Sequence, residues 1–326
     1  MPEISISMYA LMAGRCKFRG ADFVGHCFIH LKTSVIVIYQ LGSEMSLQVT
    51  TVDADLFCRA DCLIGEGPFW HEGRLFWVDI LGSSLHSCDA SGLKEAVRHV
   101  PSHLGAAAPW DGGFIAATQQ GVGIISNDGD FALLAGSPTL KTNMRCNDGK
   151  LDPAGRFWFG TTDYEFKAGS GALYRVDHDG DVREIANGLI LPNGLVWDGP
   201  AEHFYFIDTF THRVDVFDFN LVSGEIANRR VAFETPPDYG LPDGMTRDFL
   251  GRLWVAFWGG GCVIAFDADT GRPVLQVRVP TRLTSSCCLG PDGRSLYITT
   301  ARNTLSAEML RQEPLAGSVF RVDLPT

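Results

Sequence analysis

Leu191-Pro192-Asn193-Gly194-Leu195 is written again fifty positions later as Leu241-Pro242-Asp243-Gly244-Met245. Each copy puts an oxygen-bearing side chain in the same slot and is followed by a strand pattern, Leu195-Val196-Trp197 in one and Leu253-Trp254-Val255 further on in the other. Glu66 in Gly65-Glu66-Gly67-Pro68 and Asn147 in Arg145-Cys146-Asn147-Asp148-Gly149 have a similar setting. One local geometry used repeatedly implies a repeated fold.

Outward from these slots a single unit recurs: a turn glycine, a short aromatic or β-branched strand, and a second strand that usually ends in Asp. The turn glycines are Gly73, Gly112, Gly155, Gly199, Gly251 and Gly293, spaced 39, 43, 44, 52 and 42 residues apart by subtraction. Strands such as Leu75-Phe76-Trp77-Val78-Asp79 and Phe204-Tyr205-Phe206-Ile207-Asp208 follow them, with the residue types that fit a pleated, half-buried surface. A period near forty with several strands per unit predicts an all-β, six-bladed β-propeller with four-stranded blades around a central channel. A β-sandwich would not account for sixfold self-similarity. Ring closure requires one blade shared between the chain ends; Val49-Thr50-Thr51-Val52, Leu56-Phe57-Cys58 and Gly317 to Val322 are the candidate strands.

The slots precede their turn glycines by similar distances: seven residues for Glu66, eight for Asn147, six for Asn193 and eight for Asp243. The other two units carry Ala106 or Ala107, and Ser286 or Cys287, at that offset. Slots that each begin an innermost strand would ring the channel at one end. Two carboxylates confined there repel, and one would take up a proton unless a cation sits between them. Oxygen donors without histidine or thiolate suit Ca²⁺, Mg²⁺ or Mn²⁺, with Zn²⁺ left open. Asn-Gly and Asp-Gly are also common turn dipeptides. Asp111-Gly112, Asp148-Gly149 and Asp292-Gly293 are read as ordinary hairpin turns, whereas the preceding proline and matched slot set Asn193 and Asp243 apart. The histidines His71, His86, His99, His103, His178, His203 and His212 lack metal-ligand spacing and are assigned to the surface or to local hydrogen bonds. Gly259-Gly260-Gly261 is a loop with no helix after it to hold a phosphate.

Composition narrows the partners. A formal charge of −11 opposes binding to nucleic acid or an anionic membrane, both of which need a basic face; a small molecule or a cation fits better. Nine cysteines, an odd number without a Cys-x-x-Cys pair, read as reduced thiols in a cytoplasmic protein. Met1 to Glu44 carries no repeat motif, and its longest apolar run, Ser34 to Leu41, is too short to span a membrane. This segment is expected to be a poorly ordered extension upstream of a start at Met45, with the propeller domain over 45–326. Oligomeric state is not legible.

These stretches together resemble the regucalcin (senescence marker protein) and gluconolactonase family of metal-dependent six-bladed propellers. The resemblance runs from about Gly65 to the C-terminus through Gly65-Glu66-Gly67-Pro68, Arg145-Cys146-Asn147-Asp148-Gly149-Lys150, the two proline motifs and Thr284-Ser285-Ser286-Cys287-Cys288. It implies that Glu66, Asn193 and Asp243 ligate one divalent metal ion, that Arg145 and Asn147 contact substrate, and that Glu165 is a further substrate contact. It also implies hydrolysis of a sugar lactone in sugar oxidation; Asp243, a ligand with a second carboxylate oxygen to spare, is the candidate general base. The alternatives are a non-catalytic calcium-binding propeller and a scaffold that binds proteins on its flat faces.

Overall fold

The computed structural model describes residues 27–31, 34–38, 49–134, 140–198 and 202–325, which fall into two compact units, Met1–Gln48 and Val49–Thr326. In the first unit, β1 (Cys27–Leu31) and β2 (Ser34–Ile38) form an antiparallel hairpin. The expectation of a poorly ordered extension ahead of Met45 falls for the rest on residues 1–26, 32–33 and 39–44, which lie outside the described residues.

The second unit opens with β3 (Thr50–Asp53) and β4 (Asp55–Cys58), and six blades follow. Blade I is β5 (Gly65–His71), β6 (Arg74–Asp79), β7 (Ser84–Asp89) and β8 (Ala96–His99). Blade II is β9 (Leu104–Trp110), β10 (Gly113–Thr118), β11 (Gly121–Ser126) and β12 (Phe131–Leu133). Blade III is β13 (Met144–Leu151), β14 (Phe157–Asp163), β15 (Gly171–Val176) and β16 (Val182–Leu189). Blade IV is β17 (Pro192–Trp197), β18 (His203–Asp208), β19 (Arg213–Phe219) and β20 (Ile226–Glu234). Blade V is β21 (Leu241–Arg247), β22 (Leu253–Trp258), β23 (Cys262–Phe266) and β24 (Pro273–Arg278). Blade VI takes β25 (Thr284–Leu289), β26 (Ser295–Thr300) and β27 (Val319–Asp323) from the C-terminal end and β4 as its outermost strand. The protein is a six-bladed β-propeller, as its period predicts.

Closure uses one of the two early candidate strands. Leu56-Phe57-Cys58 lies in β4, which pairs antiparallel with β27. Thr50 to Val52 instead lies in β3, which runs parallel to β24 and adds a fifth strand to blade V. One short connection separates β3 from β4, so neighbouring blades share the same stretch of chain. Glycines 73, 112, 155, 251 and 293 all adopt positive φ, the conformation a side chain resists; Gly199 lies outside the described residues. Among the described residues, no helix is long and apolar enough to cross a membrane.

Each blade buries both faces. Phe76, Val78 and Leu85 of blade I pack against Leu104, Phe114 and Ile125 of blade II, and Trp158 and Leu173 of blade III against Leu195, Phe204 and Phe206 of blade IV. The ring closes with Trp77 and Cys88 of blade I on Tyr297 and Val319 of blade VI. A blade alone would leave two apolar faces in water, so burial drives ring formation. A polar device recurs at the outer end of two inner hairpins. Asp152 Oδ2 accepts from Arg156 Nε at 2.6 Å and Trp158 Nε1 at 3.0 Å, and Asp248 Oδ2 accepts from Arg252 Nε at 2.6 Å and Trp254 Nε1 at 2.8 Å. Both carboxylates are fully buried, and each clamps its turn while anchoring a core tryptophan.

Candidate active site in the channel

The innermost strands β5, β9, β13, β17, β21 and β25 contact one another around the axis. Each pairs with its second strand through a register shift near the slot. The shift falls between Glu66 and Phe69, Cys146 and Gly149, Asn193 and Leu195, and Pro242 and Met245. The other two inner strands shift across Gly105 and Ser285. A bulge re-aims the side chains beside it, and here it does so in six blades at one level. The glycines that follow the slots serve close approach, since a Cβ on Gly244 would lie 2.0 Å from Ser286 Oγ and one on Gly194 would lie 2.9 Å from Asp243 O.

The strand-ending aspartates hold the inner strands in place. Asp79 accepts from the backbone N–H of Leu63 at 2.9 Å and Ile64 at 3.0 Å, and Asp208 from Ile190 at 3.1 Å and Leu191 at 2.8 Å. In blade III, Asp163 accepts from Asn143 Nδ2 at 2.5 Å. The residue that ends one strand therefore fixes the entry of the inner strand beside it.

Glu66, Arg145, Asn147, Asn193 and Asp243 line one cavity of about 370 Å³. They are deeply buried, with Glu66 3%, Asn193 1% and Asp243 7% exposed. Glu66 Oε2 accepts from Gly67 N at 2.6 Å, and Ser286 donates to the same carboxylate. Asn147 Nδ2 donates to Pro192 O at 2.9 Å and to Asn193 Oδ1 at 2.7 Å; Asn193 Nδ2 donates to Thr209 Oγ1 at 2.7 Å. This chain orients both amides. Arg145 Nη1 donates to Cys146 O at 3.1 Å and Asn147 Oδ1 at 2.5 Å. Its other guanidinium nitrogens have no hydrogen-bond acceptor among the described residues.

The structure corrects the reading of Asp148-Gly149. It is not a hairpin tip but lies inside β13, at the bulge, with Asp148 buried. Its carboxylate accepts from Gly149 N at 2.8 Å and from Gly194 N, beside Asn193. Asp111-Gly112 and Asp292-Gly293 do lie between paired strands. The dipeptide is the same in all three, and only strand pairing separates them.

Three buried carboxylates thus share the channel with few cations. Burial, and then the Asp148 charge, push the Glu66 carboxyl up to about 8. Burial, followed by the charges of Glu66 and Asp148, raises the Asp243 carboxyl well above its usual range. Burial raises Asp148 too, partly offset by Lys150. No described residue donates a hydrogen bond to Asp243. A buried carboxylate without a donor is costly, and a divalent cation relieves it. The oxygens of Glu66, Asn193 and Asp243 are the donor set a hard ion takes, so these residues fit one divalent metal. A different group, Cys62, Asp79 and His86, has ligand-type atoms within 4.8 Å of one another, but its atoms are engaged. Asp79 holds backbone N–H groups, Trp77 Nε1 donates to Cys62 Sγ at 3.3 Å, and His86 bridges Ser84 and Glu95.

Glu165 does not line the cavity. Asp163 Oδ1 accepts from Glu165 N at 2.7 Å, and the turn this makes leaves Glu165 exposed while Tyr164 and Phe166 face the cavity on either side of it. His103, assigned to the surface or to local bonding, contacts Tyr164 OH through Nδ1 at 2.5 Å across 61 positions of chain. No sequence pattern marks that pair.

The SMP-30/Gluconolactonase/LRE-like region model matches residues 64–302. Regucalcin of Bos taurus is 34% identical over 286 residues, covering 84% of this chain and 95% of its own. The Bacillus subtilis (strain 168) protein YvrE, which carries a provisional sugar lactone lactonase name, is 34% identical over 280 residues, 84% of this chain and 96% of its own. A crystal structure of regucalcin from Agrobacterium tumefaciens strain C58, described as a calcium-binding protein, superposes with a TM-score of 0.78 at 27% identity, covering 85% of this chain and 95% of that one. With its slots, bulges and cavity in one continuous matched region, the chain belongs to the SMP-30/gluconolactonase/LRE-like family.

Proposed function

We propose that the protein hydrolyses a sugar lactone, of the aldonolactone class, to the free aldonic acid with the aid of one divalent metal ion. The observation that carries this is the Asp243 carboxylate, buried without a donor among the described residues, in a cavity that also presents Arg145 N–H groups with no acceptor among those residues. Family membership and the 34% identity to a relative with a lactonase name support it.

A divalent ion held by Glu66, Asn193 and Asp243 would supply Lewis acidity at the ester carbonyl. Asp243, a ligand with a second carboxylate oxygen to spare, takes a proton from water as the water oxygen bonds to the carbonyl carbon. Arg145 donates to the carbonyl oxygen as it gains negative charge. The acyl carbon–ring oxygen bond then breaks, the ring oxygen takes up the proton held by Asp243, and the hydroxy acid gives its acid proton to solvent and leaves as the carboxylate. Asn147 holds Asn193 and Arg145 in register. Glu165 stands exposed outside the cavity lining and takes no part in these steps.

The seven cysteines from Cys58 to Cys288 are all unbridged and buried, which supports a reducing, cytoplasmic setting. A second reading, a calcium-binding protein without turnover, is favoured by the regucalcin likeness. A pH-indicator assay decides between them: a panel of five- and six-carbon aldonolactones, chelated protein, then Ca²⁺, Mg²⁺, Mn²⁺ or Zn²⁺ restored one at a time. Ion-restored hydrolysis above the spontaneous rate is expected; cation affinity with no turnover of any lactone would leave the binding protein.

A further inference from the structure

The cavity has a polar floor and a largely apolar wall. On the floor much hydrogen-bonding capacity is already used, with Asn147 Nδ2 committed to Pro192 O and Asn193 Oδ1, and Asn193 Nδ2 to Thr209 Oγ1. The wall includes Leu81, Leu191, Leu241 and Trp258, and at the solvent end Phe166 and Phe210. Asn303 and Thr304 are polar exceptions, as is the Tyr164 hydroxyl, which meets His103 Nδ1. Phe166, from the loop after β14, and Phe210, after β18, meet across two blades with ring centroids 5.5 Å apart at 53°. Both remain substantially exposed, 40% and 38%.

Phe166 is also held at φ 55, a left-handed conformation that bulky residues adopt only at a cost. Its N–H donates to Asp163 O at 2.9 Å, and Asp163 also accepts from Glu165 N and Asn143 Nδ2. The turn is pinned so that an aromatic ring, where glycine or asparagine would be less strained, stands at the mouth. Hydroxyl groups of a bare sugar lactone set against Leu191 and Leu241 would lose water and gain no partner.

We propose that this wall is an apolar subsite, so that the lactones best suited to the cavity carry an alkyl or aryl substituent, packed between Phe166 and Phe210 while the ester group meets the polar floor. The inference rests on the lactone-hydrolase part of the proposed function and shifts the preferred substrates from bare aldonolactones to lactones that carry an apolar substituent. Full-length protein, loaded with each divalent ion in turn, is assayed with δ-valerolactone, its pentyl-substituted counterpart δ-decalactone, and glucono-δ-lactone as reference. The kcat/KM ratio of δ-decalactone to δ-valerolactone is expected at about tenfold or more. Phe166→Ala and Phe210→Ala, both at exposed positions, are each expected to cut that ratio about threefold or more. A ratio near one, or a ratio unmoved by both substitutions while any lactone is hydrolysed, overturns the subsite and leaves the lactonase intact. Should no lactone turn over, the lactonase reading fails, and calorimetry with the ring-opened acids still tests the wall. About tenfold tighter binding of 5-hydroxydecanoate than of 5-hydroxypentanoate, lost in Phe210→Ala, supports the subsite; equal binding or none overturns it.

Discussion

Asn147 Nδ2 donates to Asn193 Oδ1 at 2.7 Å, joining the inner strands of blades III and IV at the channel floor. Through this bond a proposed substrate contact orients a proposed metal ligand. Asn147→Leu removes the donor from both Asn193 Oδ1 and Pro192 O. The expected cost is about 1–3 kcal/mol of stability together with weaker metal affinity, read by urea melts and by ion titration. Wild-type affinity in the variant would show that Asn193 is oriented by Thr209 alone.

Asp243→Asn keeps the shape and removes the charge. Turnover is expected to fall by at least about 10²-fold, while the chelated variant melts higher than chelated wild type around pH 8 because a buried like charge is gone. Near-wild-type activity in a folded variant would remove Asp243 from the reaction.

The raised carboxyls make metal and pH interdependent. Glu66 titrates at 4.5 in its ordinary state and at about 8 when folded, so the folded protein without metal binds more protons across that window. Its stability term is present in full below about pH 4.5 and is lost as pH rises toward about 8; Asp243 and Asp148 shift in the same direction. Melting temperatures of chelated protein should therefore fall with rising pH, and the gain on adding a divalent ion should be larger near pH 8 than near pH 5. An ion-induced gain independent of pH would contradict this.

Arg145 and Glu165 separate the cavity from its rim. Arg145→Lys loses the planar fork and is expected to lower kcat/KM by about 10²-fold. Glu165→Gln should change it by less than about twofold, since Glu165 is exposed and outside the lining. A large loss in Glu165→Gln would restore Glu165 as a substrate contact.

Stability outside the channel should depend on burial rather than on the number of ion pairs. Asp152→Ala strands Arg156, itself only 6% exposed in its side chain, and is expected to cost about 3–5 kcal/mol. Asp53→Ala breaks the exposed pair with Arg278 and should cost less than about 1 kcal/mol. Chemical denaturation of both variants makes the comparison.

Local chemistry repeated along the chain was enough to determine the blade count, the turn glycines and the level of the slot residues. Each depends on contacts between near neighbours: glycine at positive φ, aromatic strands at a period near forty, Asp at a strand end. What only the tertiary structure decided involves partners far apart or a choice of register. Asp111-Gly112 and Asp148-Gly149 look alike as dipeptides, yet one turns a hairpin and the other sits in a bulge with its carboxylate buried beside Glu66 and Asp243. The parallel pairing of β3 with β24 joins Thr50 to Leu275, and the aromatic mouth brings Phe166 to Phe210. The one-residue exchange that leaves Glu165 outside and turns Tyr164 and Phe166 toward the cavity follows from a side chain–backbone turn at Asp163. A one-residue shift exchanges the two faces of a strand, and alternation alone does not say which register is taken; the folded ring does, because it must place every buried carboxylate against the others.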